Sequence, residues 1–404
     1  MMKDLPLKKT RIVDFTHVAA GPFSTKMLAD FGAEVIKVEG FTRPDLIRRS
    51  GPFRGDQYSP NSGGMYNRWN TSKLSITIDM SRDKGVELVK KLISVSDVVI
   101  NNFSSRVMKK WGLNYDSVTE FKKDVIYVSL PSHGTTGPHR EYISYGSELM
   151  ALAGIMHLTG FPDGAPTGPA VNYSDYVVSY MAVLSILSSL RSRQETGRGR
   201  NIEISQFETM VSYMGPILME FDANRREAKR KGNALSVNCP EGIYPCRGID
   251  RWCAISVLNE TQWTNLCEVM ERRDLKEAPE YCSVLRRIRN RKSLDAFIQE
   301  WTLQRSADQV VDALQSRQIP AEIVADAGDL LNDSHIKEKN YFVELPHPET
   351  SKMLYQNPAI VLSRTPGRAE RAPLLGEHKD YILKEILNLG EADIAALERE
   401  GVFH

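Results

Sequence analysis

The chain has 404 residues, of which 41% are hydrophobic and 25% charged, and its net charge is +1. That length suggests two domains with material for a sizeable core, and the balanced charge excludes a bulk attraction to nucleic acid, so an anionic ligand must be met by a local cluster. The N-terminal Met-Met-Lys-Asp-Leu-Pro-Leu lacks the apolar run of a secretory signal, and no stretch reaches the roughly 18 apolar residues of a membrane span, so a cytoplasmic location off the membrane is expected.

Residues 11–15 read as a strand, 22–31 as a helix opened by Gly21-Pro22, and 34–38 as a second strand. The segment 81–95 sets Val86, Leu88, Val89, Leu92 and Ile93 on one helical face. Residues 97–101 and 125–130 are a third and a fourth strand. This alternation predicts an α/β fold with a parallel sheet covered by helices, whose ligands sit beyond the carboxyl ends of the strands. Further on, 176–193 and 205–230 read as long helices flanking a short strand at 201–205, and Gly197 reads as a helix C-cap. Residues 223–233 are dense in charge and read as a solvated helix end or linker. The stretch from about 238 to 325 is mixed α/β, with a strand at 252–257 and helices near 261–270, 293–303 and 307–316. Two more helices are predicted at 378–388 and 391–400. The five cysteines, Cys239, Cys246, Cys253, Cys267 and Cys282, crowd into that middle stretch. Their number is odd and their spacing matches no zinc pattern, so neither a disulfide framework nor a metal site is expected.

The first turn, Thr16 to Pro22, carries no Gly-x-Gly-x-x-Gly, which disfavours a dinucleotide-binding dehydrogenase. The helix that follows still offers an N-terminus to an anion; a plain strand-to-helix turn fits equally well. Arg43, Arg48, Arg49, Arg68, Lys73, Arg106, Lys109 and Lys110 recur in the early loops, interleaved with Trp69, Phe103 and Trp111. Coenzyme A needs cations for its phosphates and a slot for its adenine, which this set could supply; solvated surface is the plainer reading. Asp175 lies just before the helix read from 176. It fits an N-cap, or a carboxylate whose anionic, nucleophilic form is favoured by the helix N-terminus. His17, His133, His139 and His157 lack any catalytic partner motif and read as structural.

These residues resemble one family, the class III coenzyme A transferases, which include formyl-CoA transferase and the carnitine CoA-transferases. The resemblance is carried by residues 14–22 with 28–39, by 70–79 and 98–103, by 175–200 running from Asp175 through Thr196-Gly-Arg-Gly-Arg200, and by the tail at 371–378. It implies a Rossmann-like large domain built from 1–220 and 326–404, a linker at 221–237, a smaller α/β domain at 238–325, and two such chains interlocked as rings in a homodimer. It implies acyl-CoA and a free carboxylic acid as substrates, with no resident cofactor. It makes Asp175 the nucleophile. Position by position, it places Val18 and Ala19 on the CoA site, Lys73 on a phosphate or the adenine, Asn102 and Phe103 at the adenine slot, and Tyr145 near the thioester. Lys110 and Trp111 stand where relatives carry Arg and Met, and Arg43 matches a CoA-binding arginine.

Two departures bear on substrate. The stretch 238–246, read as the counterpart of a glycine-rich closing loop, has no glycine run, which argues against formate and oxalate. The surroundings of Asp175, Tyr173-Ser-Asp-Tyr176, resemble the carnitine branch. A racemase on the same fold would need a His/Asp pair for proton abstraction, and the His of that pair stands where this chain has Tyr145. A non-catalytic CoA-binding homologue would have lost the nucleophile that Asp175 retains.

Overall fold

The computed structural model describes residues 5–53, 58–234 and 237–404; positions 235–236 of the expected linker lie outside the described residues. The chain divides into two compact units: Met1–Met156 with Gly168–Glu227 and Ser334–His404, and His157–Thr167 with Ala228–Asp333. The segment 157–167 was expected in the large domain. It packs instead with the second unit, where Gly232 N–H donates to Gly160 C=O at 2.9 Å and Arg230 donates to His157 C=O at 2.9 Å.

The first unit is built on strands β1 (Arg11–Asp14), β2 (Glu34–Glu39), β3 (Leu74–Thr77), β4 (Val98–Asn101), β5 (Ile126–Ser129) and β6 (Arg200–Glu203). They form one parallel sheet in the order β3-β2-β1-β4-β5-β6. Strands β1, β2, β4 and β5 read as largely apolar runs because both their faces are covered. Alternate residues divide between the faces. Ile12, Val35, Val98, Ile100, Ile126 and Val128 meet Leu28 and Ala29 of helix α1 (Ala20–Ala29) on one side. Val13, Ile36, Val38, Ile76 and Val99 meet Leu88, Val89, Leu92 and Ile93 on the other.

In chain order the remaining helices of this half are α2 (Gly64–Trp69), α3 (Asp83–Ser94), α4 (Ser105–Lys110), α5 (Tyr115–Thr119), α6 (Gly146–Leu152), α7 (Ile155–Leu158), α8 (Tyr173–Thr196), α9 (Gln206–Ser212) and α10 (Gly215–Asn224). Pro22 falls at the third position of α1, where its missing N–H belongs to the orphan group of a helix start. α8 begins three residues earlier than the apolar pattern indicated and ends on Gly197, whose φ of 68° suits glycine. The single helix read over 205–230 is two, because Gly215-Pro216 interrupts the backbone ladder between α9 and α10. The C-terminal segment returns to the sheet: Asp79 N–H donates to Val402 C=O at 2.7 Å, and Ile382, Leu383, Ile394 and Phe403 join the core on the α3 side.

The second unit carries a three-stranded antiparallel sheet of β7 (Glu241–Pro245), β8 (Trp252–Ser256) and β9 (Ala321–Ile323). Helices Glu260–Val269, Arg291–Leu303 and Ala307–Gln315 pack on it around Trp263, Leu266, Leu294, Ile298 and Val310. The stretch 238–246 is therefore mostly the strand β7. Its single glycine, Gly242, lies within that strand, opposite Ile255 of β8, so the absence of a glycine run here reflects a paired strand in place of a loop. A hairpin of β10 (Phe342–His347) and β11 (Ser351–Gln356) belongs to the first unit.

Candidate active site

The strand order reverses between β1 and β4, where a doubly wound sheet opens its crevice. The two loops that leave this point are tied together by Asn102. Its side-chain oxygen accepts from His17 N–H at 2.9 Å, and its amide donates to His17 C=O at 2.8 Å. The Phe103 ring lies edge-on to His17 at 5.1 Å and to Trp111 at 5.9 Å. Val18 and Ala19 on the loop after β1, and Asn102, Phe103 and Trp111 after β4, which the resemblance assigns together to the CoA site, thus lie near one another at this point of the sheet. Ala19 is buried at the start of α1, and Val18 is half-buried. Lys110 is exposed in the last turn of α4, and Arg43 is exposed in the loop after β2. Burial pushes the His17 imidazole below its usual range, so it is neutral at neutral pH.

Beneath the crevice lies a set of fully buried charges. Asp14 pairs with Lys73 at 3.0 Å, Lys37 with Asp45 at 3.0 Å, and Glu39 with Arg48 at 2.7 Å. Three carboxylates meet three cations, and buried charge is tolerated when it is paired in this way. Lys73 donates to Asp14, to Pro22 C=O at 3.0 Å and to Asn70 Oδ1 at 2.8 Å. Its three ammonium protons are committed, so the expected contact with a phosphate or adenine gives way to a place inside the fold. Burial pushes its pKa down to about 8, against the pull of Asp14. Burial also works against Asp14, but Lys73, Lys37 and the hydroxyls of Thr16 and Thr25 outweigh it and hold that carboxyl far below the usual range. Arg48, another member of the supposed basic cluster, is likewise internal, with its guanidinium 3.6 Å from the centre of the Tyr66 ring.

Asp175 sits in the first turn of α8, with Asn172 at the N-cap, so it is neither the cap nor outside the helix. One turn on, Ser179 is buried and its hydroxyl donates to Ala20 C=O, the first residue of α1. The ring of Tyr176 meets Phe23 at 5.0 Å. The starts of α1 and α8 therefore lie side by side, and Asp175 stands at the level where both helices begin. Helix ends of this sign favour a carboxylate, yet burial dominates: it pushes Asp175 up to about 6, against a hydrogen bond from the Asn172 side chain.

Tyr145 is exposed at the entry to α6 and donates its N–H to Glu148 at 3.0 Å. The next residue, Gly146, packs on the start of α8: a Cβ there would lie 2.8 Å from Asn172 Cβ and from Ser174 Oγ. Only glycine allows that approach, and it sets the Tyr145 loop beside the helical turn that holds Asp175. His133 and His139 lie in the loop after β5, where His133 contacts Ser144 Oγ at 2.9 Å and His139 stacks on Tyr142 at 4.5 Å. Two residues that sequence reasoning did not single out matter here: Asp45, whose carboxylate accepts from Val18 N–H at 2.8 Å, and Asn172. Among the described residues no group of three His, Cys, Asp or Glu side chains could hold a metal ion, and no helix is long and apolar enough to cross a membrane.

The description of CoA-transferase family III matches residues 7–379 of this chain. The chain is 32% identical over 401 residues to the succinyl-CoA–D-citramalate CoA-transferase of Chloroflexus aurantiacus, covering 98% of both proteins. It is 33% identical over 387 residues to the succinyl-CoA:mesaconate CoA-transferase of Haloarcula marismortui, covering 94% of this chain and 96% of that one. A crystal structure of a CAIB/BAIF family protein from Brucella suis matches with a TM-score of 0.86 at 29% identity, over 95% of this chain and 100% of that one.

Proposed function

The chain belongs to CoA-transferase family III, and on that footing we propose that it moves coenzyme A from succinyl-CoA to a second small carboxylic acid through an acylated Asp175. The observation that carries the reading is the Asp175 carboxyl: half-buried, at the joint start of α1 and α8, and pushed up to about 6 by desolvation. Such a group is ionised at neutral pH yet more basic and less hydrated than an ordinary carboxylate, which suits a nucleophile.

In the proposed cycle Asp175 attacks the donor thioester carbonyl, forming a mixed anhydride and expelling CoA thiolate. The thiolate attacks the aspartyl carbonyl of the anhydride, leaving an aspartyl-CoA thioester and releasing the donor acid. The acceptor carboxylate attacks that thioester, giving a second anhydride and thiolate. The thiolate then attacks the acceptor carbonyl, which yields the new acyl-CoA and restores Asp175. Each addition places negative charge on an oxygen, and the free N–H groups at the start of α8 are the candidates to meet it. Val18, Ala19, Asn102, Phe103 and Trp111 are proposed to receive coenzyme A at the crevice, with Lys110 and Arg43 as exposed cations for its phosphates, and Tyr145 to border the thioester.

Succinyl-CoA is the first donor to test because both relatives are named for it; their acceptors, citramalate and mesaconate, are dicarboxylic acids. We also propose a homodimer, interlocked as the family resemblance implies. Tyr180, Leu184 and Leu187 recur at helical spacing on α8 and are exposed, as are Met219 and Phe221 on α10, and a second copy would cover such apolar side chains. A panel of acyl-CoA donors against carboxylate acceptors, read by product mass, tests the activity. Transfer from succinyl-CoA to at least one dicarboxylate is expected; hydrolysis alone, or α-proton exchange without any acceptor, would contradict it.

A further inference from the structure

Val18 lies in the left-handed backbone region, at φ 67°. A β-branched side chain is a poor choice there, and glycine would adopt the same angle at no steric cost. The conformation is held from outside. Asp45, in the loop after β2, accepts from Val18 N–H at 2.8 Å and from Ile47 N–H at 3.1 Å through one oxygen. Its other oxygen pairs with Lys37 at 3.0 Å, and Lys37 donates to Thr16 C=O at 2.7 Å. The same buried pair thus grips the turn on both sides of His17, while Asn102 holds His17 itself.

The next residue, Ala19, has φ −119° and ψ −61°, in the right-handed region. A left-handed residue followed by a right-handed one turns successive N–H groups toward one point, a natural seat for an anion. In a dinucleotide-binding protein the pyrophosphate approaches the start of this helix. Here the Val18 N–H is already taken by the protein's own carboxylate.

We propose that Asp45 is a positioning residue for acyl-CoA: by holding Val18 in the left-handed region it fixes the 17–19 turn at the crevice in the shape that receives the ligand. This rests on the reading of that turn as part of the acyl-CoA site. Asp45 itself is fully buried, with its carboxylate taken up by Val18, Ile47 and Lys37. Its effect passes through the backbone of Val18, and that makes it separable from a merely structural effect.

The test is a double-mutant cycle between Asp45→Ala and Val18→Gly, read by the KM for succinyl-CoA, by kcat and by the Kd for CoA from calorimetry. With valine at 18, Asp45→Ala should raise KM and Kd about tenfold while kcat stays within about twofold. With glycine at 18, which takes the angle unaided, the same substitution should change KM and Kd less than about threefold. If Asp45→Ala alone fails to fold because Lys37 is left unpaired, the cycle is run with Lys37→Met added in both backgrounds. Equal losses with valine and glycine, or a loss confined to kcat or to the melting temperature, overturn the proposal. Failure of the wild-type protein to bind CoA overturns the underlying reading, and the proposal with it.

Discussion

The Ser179 hydroxyl donates to the main-chain carbonyl of Ala20, and this contact joins α8 to the start of α1 one turn below Asp175. The nucleophile proposed here is placed by packing of two helices on a sheet rather than by a loop. A partly buried site of this kind raises the carboxyl pKa and makes the group costly to keep ionised.

That cost is measurable. An unfolded aspartate releases its proton near pH 4, whereas the folded Asp175 holds it up to about 6. Stability contributed by this group is therefore present below the unfolded pKa and is lost as pH rises through about 6. Asp175→Asn should abolish transfer and yet stabilise the protein at pH 7.5, by about 1–3 kcal/mol in urea unfolding. The gain should shrink as the pH falls toward 4. Asp175→Ala should also abolish transfer while CoA binding, followed by calorimetry, survives.

The rate should follow the same proton. The anionic form attacks, so kcat/KM should fall on the acid side with an apparent pKa near 6. The Asn172 hydrogen bond holds that value down. Asn172→Ala should move the acid limb to higher pH, and a pH–rate profile of the two proteins checks the direction.

Lys73 offers a contrast. With its three donors used by Asp14, Pro22 and Asn70, Lys73→Met should act on folding. Leaving Asp14 buried without its partner should cost about 3–5 kcal/mol in urea unfolding. In protein that remains folded the Kd for CoA should move less than about threefold. A selective loss of CoA affinity at unchanged stability would restore Lys73 to the ligand.

The exposed apolar side chains of α8 and α10 predict an oligomer. Leu184 is 68% exposed and Met219 71% exposed. Leu184→Glu with Met219→Glu should shift the species seen in sedimentation from dimer to monomer, because a charge at the centre of an apolar contact is left without a partner.

Some of this was legible in the sequence and some was not, for physical reasons. Strands β1, β2, β4 and β5 announced themselves because a parallel strand buried on both faces must be a run of apolar residues. The polar half of Leu-Ser-Ile-Thr hid β3. The start of α8 was read late because Tyr173, Ser174 and Asp175 do not look like an apolar face, although the backbone is already helical there. The periodicity across Gly215-Pro216 ran on while the hydrogen-bond ladder could not. Lys73 and Arg48 looked like surface cations because sequence does not reveal which charges a fold encloses. Asp45 gave no signal, since its partner Val18 lies 27 residues away and the strain that calls for it is a backbone angle.

The most direct check is mass spectrometry on enzyme quenched during turnover with succinyl-CoA and an acceptor acid labelled with heavy oxygen in its carboxylate. The peptide containing Asp175 should carry an acyl or CoA adduct before the cycle closes, and the heavy oxygen afterwards. Steady transfer with no adduct on that peptide and no label passing into it would contradict the account.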